Sequence, residues 1–408
     1  MKLFNVKKVD EVRKILDDVF SDACSKYELI PIEKSLGRVV YEDLYSPIDL
    51  PEFSRAVVDG YAVLSDDTHG AGESMPVFLN VIGRVDMGKA ATESVKSSTA
   101  IYVPTGAMIP PGADAVVMIE YVENLDENTI AVYTPVAPGH GIIKKGDDIK
   151  KGHKLLSKGK RIRARDIGVL SALGIEFIKV YEKIKVSVIS TGDEIVYPFG
   201  EVSFGQIRDI NTNLLSAMAE ESGADVSLKL LVKDDFDRLK EAINKALQVS
   251  DIIVLSGGSS VGAKDMTAKA IESLEDGKIF VHGVAVKPGK PTIIGKVENK
   301  AIFGLPGHPS SAMIIYKLFV DYLIRKYYSM NEDIIYVEAL CSENIHSEPG
   351  KETYQPVELI EKDGTYEAVP IYGKSAAISK IAKSIGYIKI AENKEGIKKG
   401  EKVRVALF

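Results

Sequence analysis

The stretch DIIVLSGGSSVGAKD, residues 251–265, decides the fold of this 408-residue chain. Its apolar half, 251–255, has the length of a buried strand, and a glycine-rich turn then opens a helix. The flanking sequence repeats this order, with strands predicted at 186–189, 226–232 and 301–305 and helical patterns between them. Strands that alternate with helices indicate βαβ crossovers, so the sequence predicts an α/β domain with a mostly parallel sheet.

Three further features complete this α/β domain. Asn211 stands where it can cap a helix that bears Leu214, Leu215 and Met218 and that Gly223 closes. Strands are predicted at 279–286 and 291–294, and a further helix runs from Ser310.

The rest of the chain predicts additional domains. Val9, Val12, Leu16 and Val19 recur at helical spacing, so the chain opens with an amphipathic helix. Short apolar runs punctuated by Pro and Gly then predict a β-rich region, and short strands return near the end of the chain. We therefore predict a discontinuous domain at 1–46 and 140–181, an inserted β-rich domain at 47–139, the α/β domain at 182–328, and a small β domain at 329–408.

Composition excludes several classes of protein. The 52 Lys and Arg against 58 Asp and Glu give a net charge of −6, and no segment is basic enough to indicate nucleic-acid binding. Cys24 and Cys341 form neither a CxxC motif nor a disulfide framework, which favours a reducing compartment. The most apolar long stretch, 311–324, carries Lys317 and Asp321 and is too short for a membrane span. We expect a cytoplasmic protein without a membrane or nucleic-acid partner.

Four polar loops of the α/β domain are the candidate site. They are TGDE (191–194), SGGSSVGAKD (256–265), KPGKP (287–291) and LPGHPSS (305–311), and each follows a predicted strand. Ligands of open α/β sheets bind outside the carboxyl ends of the strands. The sequence therefore predicts one pocket built from these loops.

The glycine-rich loop has two interpretations. Between a strand and a helix, glycines let backbone N–H groups approach an anion, so the loop resembles a phosphate cradle. The alternative is a tight turn. The loop fits neither the Walker A nor the dinucleotide fingerprint. Its candidate contacts are Ser256, Gly257, Gly258, Ser259 and Gly262.

Charged side chains in the same loops suggest an anionic ligand and a metal. Lys287 and Lys290 bracket Pro288 and Gly289, a stiff turn that presents two ammonium groups, although lysine pairs are often solvated decoration. Carboxylates joined by substrate phosphates are how proteins usually hold Mg²⁺, and helix capping is the competing interpretation. The candidate acids are Asp193, Glu194, Asp209 and Asp265. The histidines lack the spacing of a zinc site.

Together the motifs resemble the molybdopterin molybdenumtransferase family, the MoeA and gephyrin E-domain type of molybdenum-cofactor enzyme. The match runs in order over nearly the whole chain. Its motifs are VDGYAV (58–63), PTGAMIPPGADAVV (104–117), KKGDDIKKGHKLL (144–156), ISTGDEIV (189–196), IRDINTN (207–213), SGGSSVGAKD (256–265), VKPGKP (286–291) and LPGHPSSA (305–312). Alone, VDGYA and PTG would be weak signals.

This resemblance implies four domains and a homodimer whose cleft uses residues of both subunits. The implied reaction takes adenylylated molybdopterin and molybdate, hydrolyses the adenylate with Mg²⁺, and releases AMP and molybdenum cofactor. A molybdopterin adenylyltransferase is a possible protein partner. The positions that match the family's active site are Asp59, Thr105, Asp148, Asp193, Glu194, Asp209, Asp265, Lys287, Lys290, Pro306 and Pro309, and Ser375 matches an oxyanion contact.

The chain departs from the family pattern at several positions. The family's Arg-Ser-Ala-Met before the first acid is here Arg-Ala56-Val57-Val58, and its Pro-Gly-Asn-Pro carries His308 in place of Asn. In the last domain Lys351 and Pro356 replace two arginines, and a proline donates no hydrogen bond. Two alternatives therefore stay open: a tungstate-preferring insertase, and a non-catalytic or diverged pterin-binding scaffold. A third, adenylyltransferase activity, is one that the α/β domain could perform by its fold, although the β-rich N-terminal half and the C-terminal β domain argue against it.

Overall fold

A computed structural model describes residues 6–21, 26–257, 261–330, 334–373 and 378–408, with the backbone but not the side chains of 261–265 and 380. Its contacts form two compact units. The first unit comprises Met1–Glu42, Lys158–Arg163 and Phe177–Phe408, and the second comprises Asp43–Ser157 and Ala164–Glu176. The four-domain division with its boundaries stays a prediction.

The secondary structure of the described residues mixes helices with many short strands. The helices are α1 (Val9–Val19), α2 (Ala164–Ala172), α3 (Asn211–Glu221), α4 (Phe236–Val249), α5 (Val261–Glu272), α6 (Pro309–Ile315), α7 (Asp321–Tyr327) and α8 (Ile378–Lys383). A π-helical segment, Tyr316–Val320, joins α6 to α7. Short 3-10 turns occupy Ile32–Lys34, Ser65–Thr68 and Ile119–Tyr121.

The strands are numbered in chain order. They are β1 (Tyr27–Pro31), β2 (Leu44–Tyr45), β3 (Arg55–Ala56), β4 (Gly60–Val63), β5 (Val77–Arg84), β6 (Thr99–Val103), β7 (Ala115–Met118), β8 (Val122–Asn124), β9 (Thr129–Val132), β10 (Ile142–Ile143), β11 (Lys154–Leu156), β12 (Phe177–Tyr181), β13 (Lys185–Thr191), β14 (Ile195–Val196), β15 (Ile207–Arg208), β16 (Asp225–Val232), β17 (Ile252–Gly257), β18 (Lys278–His282), β19 (Val286–Lys287), β20 (Ile293–Val297), β21 (Lys300–Leu305), β22 (Tyr336–Cys341), β23 (Ile345–His346), β24 (Glu352–Lys362), β25 (Thr365–Pro370), β26 (Gly386–Ile390), β27 (Gly396–Ile397) and β28 (Lys402–Leu407).

The α/β sheet of the first unit has the strand order β16-β13-β17-β21-β20-β18. The first four strands are parallel, and β20 and β18 run antiparallel to their neighbours. Both faces are buried: Val186 and Val254 point into one apolar cluster, and Ile189 and Ile253 point into another. A strand covered on both faces reads as a continuous apolar run, which explains the pattern at 251–255. The predicted α/β fold class is confirmed.

The opening helix packs as its periodicity predicts. Val9, Val12 and Leu16 are buried on one face of α1 and belong to the same apolar cluster as one face of the α/β sheet. The predicted amphipathic helix is therefore confirmed, and its apolar stripe supplies part of the core of the first unit.

The second unit contains the predicted β-rich region. Its main sheet has the strand order β7-β4-β6-β5-β9-β8. Two separate two-stranded sheets, β3–β10 and β2–β11, belong to the same unit. The buried Gly60 shows how closely β4 and β7 approach, because a Cβ atom there would lie 2.0 Å from the carbonyl oxygen of Val117. Only glycine fits this position without a backbone shift.

The C-terminal strands close into a small barrel. β24 pairs with both β25 and β26, and the chain of pairs β25–β22, β22–β28 and β28–β26 completes the ring. Closure removes the exposed strand edges that favour aggregation. The predicted small β domain is confirmed as a β structure. Its core includes Val357, Ile388 and Val405.

Two local predictions for the α/β domain were wrong. The segment 279–286 is not one strand, since β18 ends at His282 and β19 joins the C-terminal sheet by pairing with β24. Asn211 does not cap α3, because it is the first residue of the helix and Ile210 occupies the cap position.

No helix in the described ranges is long and apolar enough to cross a membrane.

A buried carboxylate joins α7 to the end of α3. The side chain of Asp321 is 6% exposed, and it accepts hydrogen bonds from Ser222 Oγ at 2.7 Å and Arg325 Nε at 2.9 Å. Lys317 Nζ lies 3.3 Å from Asp321 Oδ2. Removing one member of such a cluster leaves the remaining charges without compensation.

We predict that Asp321→Ala lowers the free energy of unfolding by about 3 kcal/mol because two cations lose their buried partner. The matched control is Glu241→Ala, which removes the exposed i,i+4 partner of Lys245 and should cost less than about 0.5 kcal/mol. Urea denaturation followed by circular dichroism measures both variants. Equal stability of the two variants would contradict the prediction.

Candidate functional site

The strand register of the α/β sheet brings the polar loops to one edge. Thr191, at the end of β13, pairs with Val232 of β16 on one side and with Gly257 of β17 on the other. Ser256 of β17 pairs in turn with Leu305 of β21. Because these strands are parallel, the loops that follow them leave the sheet at the same edge.

The KPGKP turn reaches this edge by another route. It precedes β20, which runs antiparallel to β21 and places Ile293 opposite Gly304. The start of an antiparallel strand lies where its parallel neighbours end, so the turn meets the other loops. A small cleft is lined by Thr191, Gly257 and Pro291 together with Leu305.

Gly257 allows the ends of β13 and β17 to approach closely, and Gly307 of the LPGHPSS loop lies next to it. Gly257 has a φ of +145°, and a Cβ atom there would lie 2.2 Å from the carbonyl oxygen of Thr191. A Cβ atom on Gly307 would lie 3.5 Å from Gly257 Cα. A side chain is therefore excluded at Gly257, where β13 and β17 end, whereas a Cβ atom on Gly307 would make only an ordinary contact.

Part of the glycine-rich loop lies outside the described residues. Gly258 and Ser259 belong to that part, and so does the predicted oxyanion contact Ser375. Gly262 and Asp265 lie in α5, whose backbone is described at these positions and whose side chains are not. The phosphate-binding role of the loop and the metal-binding role of Asp265 stay predictions.

Asn211 ties two of the loops together. Its Nδ2 donates one hydrogen bond to Ser256 Oγ and another to the carbonyl oxygen of Gly307, both at 2.7 Å. Its Oδ1 is buried and has no hydrogen-bond partner within the described structure. A buried acceptor without a donor is costly, and at a ligand site it marks a position where a ligand N–H or O–H fits. Sequence reasoning gave Asn211 only a capping role and missed this one.

Asp209, which precedes the cap residue Ile210, makes the side-chain hydrogen bond to the start of α3 that was predicted for Asn211. Its Oδ1 accepts hydrogen bonds from the backbone N–H of Thr212 and from Ser190 Oγ, both at 3.1 Å. Thr212 Oγ1 also donates to Ser190 Oγ at 2.8 Å. Helix capping, one of the two interpretations weighed for this acid, is therefore observed, and metal binding by Asp209 stays a prediction.

The acids of the TGDE loop lie close to an acid that the sequence analysis did not consider. Asp193 and Glu194 are exposed, and Asp193 Oδ1 accepts a hydrogen bond from the backbone N–H of Asp234 at 3.3 Å. Burial raises the pKa of the Asp234 carboxyl, the Thr191 hydroxyl opposes this, and the charges of Asp193 and Glu194 raise it further. Lys233 donates to the Asp193 carbonyl oxygen. Lys233 and Asp234 directly follow β16, so the rule that ligands bind at strand ends, applied to β16, would have identified them.

These acids suit Mg²⁺ better than a metal that needs a full protein cage. Among the side chains that the structure describes, no group of three or more His, Cys, Asp or Glu residues is placed to hold a metal ion. Mg²⁺ usually takes one or two carboxylates and completes its shell with water and substrate phosphates. Asp193 and Glu194 fit that requirement, and a divalent cation would relieve their repulsion with Asp234.

The two lysines of the KPGKP turn differ in their surroundings. Lys290 is exposed, and its carbonyl oxygen accepts hydrogen bonds from Val284 and Thr292, which fixes the backbone of the turn. Lys287 lies in β19, and its Nζ is 3.0 Å from Glu348 Oε1. Both ammonium groups remain accessible to an anionic ligand.

The prolines of the LPGHPSS loop shape the start of α6. Pro306 is buried directly after β21. Pro309 is the first residue of α6, where a missing N–H leaves no hydrogen bond unmade, and His308 occupies the cap position. The two prolines therefore contribute to the site by shaping the backbone around Gly307.

The second unit brings together two of its three predicted site residues. Asp59 Oδ1 accepts hydrogen bonds from the backbone N–H of Thr105 at 2.6 Å and from its Oγ1 at 2.9 Å. These bonds, the backbone one first, lower the pKa of the Asp59 carboxyl. Asp148 is exposed on a different loop, where its N–H donates to the carbonyl oxygen of Leu50.

Lys351 and Pro356, which stand where the family pattern has arginines, have different surroundings. Pro356 is buried in β24 opposite Tyr387 and presents no donor. Lys351 donates a hydrogen bond to Glu348, the same carboxylate that Lys287 contacts. Lys351 therefore keeps a positive charge near the KPGKP turn.

Comparison with known proteins identifies the class of fold. Residues 187–326 match a family model described as "Probable molybdopterin binding domain". Residues 7–174 match the MoeA N-terminal region (domain I and II), and residues 338–408 match the MoeA C-terminal region (domain IV). The α/β domain is thus of the molybdopterin-binding class. The chain belongs to the MoeA family, and the resemblance stated from its motifs is confirmed.

Individual relatives match along most of their length. A crystal structure of a molybdopterin biosynthesis MoeA protein from Pyrococcus horikoshii is 40% identical, covers 99% of both chains and superimposes with a TM-score of 0.86. A Methanocaldococcus jannaschii relative is 34% identical over 100% of both chains. A Haemophilus influenzae protein named molybdopterin molybdenumtransferase is 31% identical over 93% of this chain and 94% of its own length.

We predict that Thr105→Ala raises the pKa of Asp59 but leaves it below the ordinary value, because the backbone N–H bond persists. A lowered carboxyl pKa favours the folded state above the unfolded-state pKa, and this contribution is lost as the pH falls through the lowered value. Carbon NMR titration of labelled aspartates measures the shift. Asp126, held in the same way by Asn128 and Thr129, is the internal control and should not change. An unchanged Asp59 titration would contradict the prediction.

Proposed function

We propose that this chain is a molybdopterin molybdenumtransferase that inserts molybdate into adenylylated molybdopterin and releases AMP with Mg²⁺. The observation that carries the proposal is the strand register, which brings the TGDE, SGG, KPGKP and LPGHP loops to one sheet edge. The names of the relatives, molybdopterin molybdenumtransferase among them, support the same activity.

Binding would rest on backbone groups and on the lysines. Backbone N–H groups of the 256–262 loop, next to the N-terminus of α5, would bind the substrate phosphates, with Ser256 and Gly257 at its start. Lys287 and Lys290 would add the positive charge that phosphate and molybdate require. The unpartnered Oδ1 of Asn211 would accept a hydrogen bond from an N–H group of the substrate, and the pterin ring system carries such groups.

Catalysis would rest on positioning and electrostatics. In the hydrolysis, water would attack the phosphorus of the pterin phosphate as the bond to the AMP phosphate breaks, and negative charge would develop on the departing AMP phosphate. Asp193 and Glu194 would hold Mg²⁺, with Asp209 and Asp265 as further candidate ligands, and a bound Mg²⁺ supplies Lewis-acid stabilisation of phosphate oxygens. The lysines would orient both anions so that each reacts in a fixed geometry.

A second proposal concerns the predicted site residues of the second unit. We infer a homodimer in which Asp59, Thr105 and Asp148 take part in catalysis. The hydrogen bonds that keep the Asp59 carboxylate ionised suit a group that acts as an anion. A cytoplasmic location and delivery of substrate by a molybdopterin adenylyltransferase complete the proposal.

One experiment separates the three functions that the sequence left open. Purified protein is incubated with adenylylated molybdopterin, Mg²⁺ and either molybdate or tungstate, and AMP is measured. AMP release that requires an oxyanion supports insertion, and the preferred oxyanion identifies the metal. In a parallel incubation with molybdopterin, ATP and Mg²⁺, formation of adenylylated molybdopterin and pyrophosphate would instead support an adenylyltransferase. Binding without turnover would support a scaffold.

We predict that Lys290→Ala lowers kcat/KM for molybdate-dependent AMP release by about 10- to 100-fold, because a cation facing the reacting anions is lost. Lys278→Ala is the matched control, since Lys278 is exposed and pairs with Lys296 at the other end of β20. Its kinetics should equal those of the wild type. Wild-type turnover in Lys290→Ala would remove this lysine from the site.

We predict that Asp59→Asn lowers turnover by about 100-fold or more while the fold is retained, because the amide cannot supply a negative charge. Circular dichroism and analytical ultracentrifugation check the fold and the oligomeric state, and the AMP assay checks turnover. Unaltered turnover in this variant would refute the catalytic role of Asp59.

A further inference from the structure

Glu348 joins two lysines that come from different parts of the first unit. Its Oε1 lies 3.0 Å from Nζ of Lys287, in the KPGKP turn, and its Oε2 accepts a hydrogen bond from Nζ of Lys351. Both carboxylate oxygens therefore bind ammonium groups. The two bonds hold the pKa of Glu348 at about 2, so this carboxylate is ionised at neutral pH.

The backbone fixes the three side chains in this arrangement. Lys287 belongs to β19, which pairs with β24 and places Lys287 next to Thr353. The turn that carries Glu348 is held at both ends, because Ser347 Oγ lies 2.8 Å from Thr353 Oγ1 and Gly350 N–H donates to the carbonyl oxygen of Glu392. Glu348 thus meets Lys287 because two anchored backbone segments present them to each other.

Stability does not account for this cluster. The side chains of Lys287 and Glu348 are 50% and 64% exposed, and ion pairs of such exposure contribute little to folding. The cluster instead has the composition of an anion site that is already filled. Two ammonium groups surround one carboxylate, the net charge is positive, and the cluster includes a lysine assigned to the substrate site.

We propose that Glu348 is an internal stand-in for the oxyanion, and that a tetrahedral dianion such as molybdate replaces its carboxylate between Lys287 and Lys351. Two oxygens of a tetrahedral dianion present themselves to the two ammonium groups as the carboxylate does, and they carry more charge. Lys351 thereby becomes an anion-binding residue directly before β24, the strand in which Pro356 offers no donor. The inference rests on the proposed function for the identity of the anion.

Glu348 also lowers the affinity for the oxyanion. A bound anion must first displace a carboxylate from both lysines, so its binding competes with an intramolecular partner of high effective concentration. Weak anions fail to displace Glu348, whereas a dianion that binds both lysines succeeds. Glu348 is therefore a specificity-determining residue that acts by competition and takes no part in the chemical step.

The test measures binding of molybdate, with sulfate as a second tetrahedral dianion, by isothermal titration calorimetry on the full chain. Glu348→Gln keeps the size of the side chain and removes the charge, and we expect it to bind molybdate about 3- to 10-fold more tightly than the wild type. Glu343→Gln removes an exposed acid of the same domain and is the matched control, expected to match the wild type within error. Lys351→Gln should bind about threefold or more weakly.

Each outcome decides the proposal. Tighter binding to Glu348→Gln together with weaker binding to Lys351→Gln supports it. Equal affinity of Glu348→Gln and Glu343→Gln, weaker binding to Glu348→Gln, or no binding of either dianion to any variant overturns it. Thermal melting checks that all variants fold.

The AMP assay separates this inference from the proposed function. If Glu348→Gln binds dianions more tightly but the wild type releases no AMP, the transferase activity fails and the anion site stands. If the wild type releases AMP and Glu348→Gln gains no affinity, the activity stands and the role of Glu348 fails.

Discussion

The parallel register of β13 with β16 and β17 is the constraint on which the site depends. Thr191 faces Val232 on one side and Gly257 on the other, so three loops start from the same level of the sheet. A shift of one residue would turn each apolar side chain to the opposite face of its strand. The two faces pack against different apolar clusters, so a shift would force each side chain into a space that fits another, and this packing fixes the positions of the loops. Core packing and site geometry therefore have the same origin.

Much of the fold was predictable because its signals are local. The spacing of Val9, Val12 and Leu16 predicts α1, and the apolar run before the SGG loop predicts β17. The antiparallel direction of β20 also has a local cause, which the sequence analysis did not use. Only two residues separate Val297 from Lys300, and a connection that short joins β20 to β21 as an antiparallel hairpin. The division of 279–286 between two sheets could not be seen in the sequence, because β19 pairs with β24, a strand more distant along the chain.

The site was predictable in outline but not in its hydrogen bonds. The rule that ligands bind at strand ends found the four loops, and it would also have found Asp234 had it been applied to β16. The roles of Asn211 and Asp209 could not be predicted. A one-residue difference in where α3 begins decides which of the two side chains bonds to the helix N-terminus and which one faces the loops. Helix boundaries are the least predictable part of a sequence pattern. The pairing of Lys287 with Glu348 depends on two segments separated by about 60 residues, so no local pattern encodes it.

The pairing of β19 with β24 joins the C-terminal barrel directly to the KPGKP turn. Val286 and Lys287 share backbone hydrogen bonds with Glu352 and Thr353, while the residues that follow lead directly into β20. A displacement of β24 would therefore be passed through these backbone bonds to Lys287, at the start of the turn. Substitutions in the barrel that shift β24 thus have a route to the KPGKP turn even where they contact none of its residues.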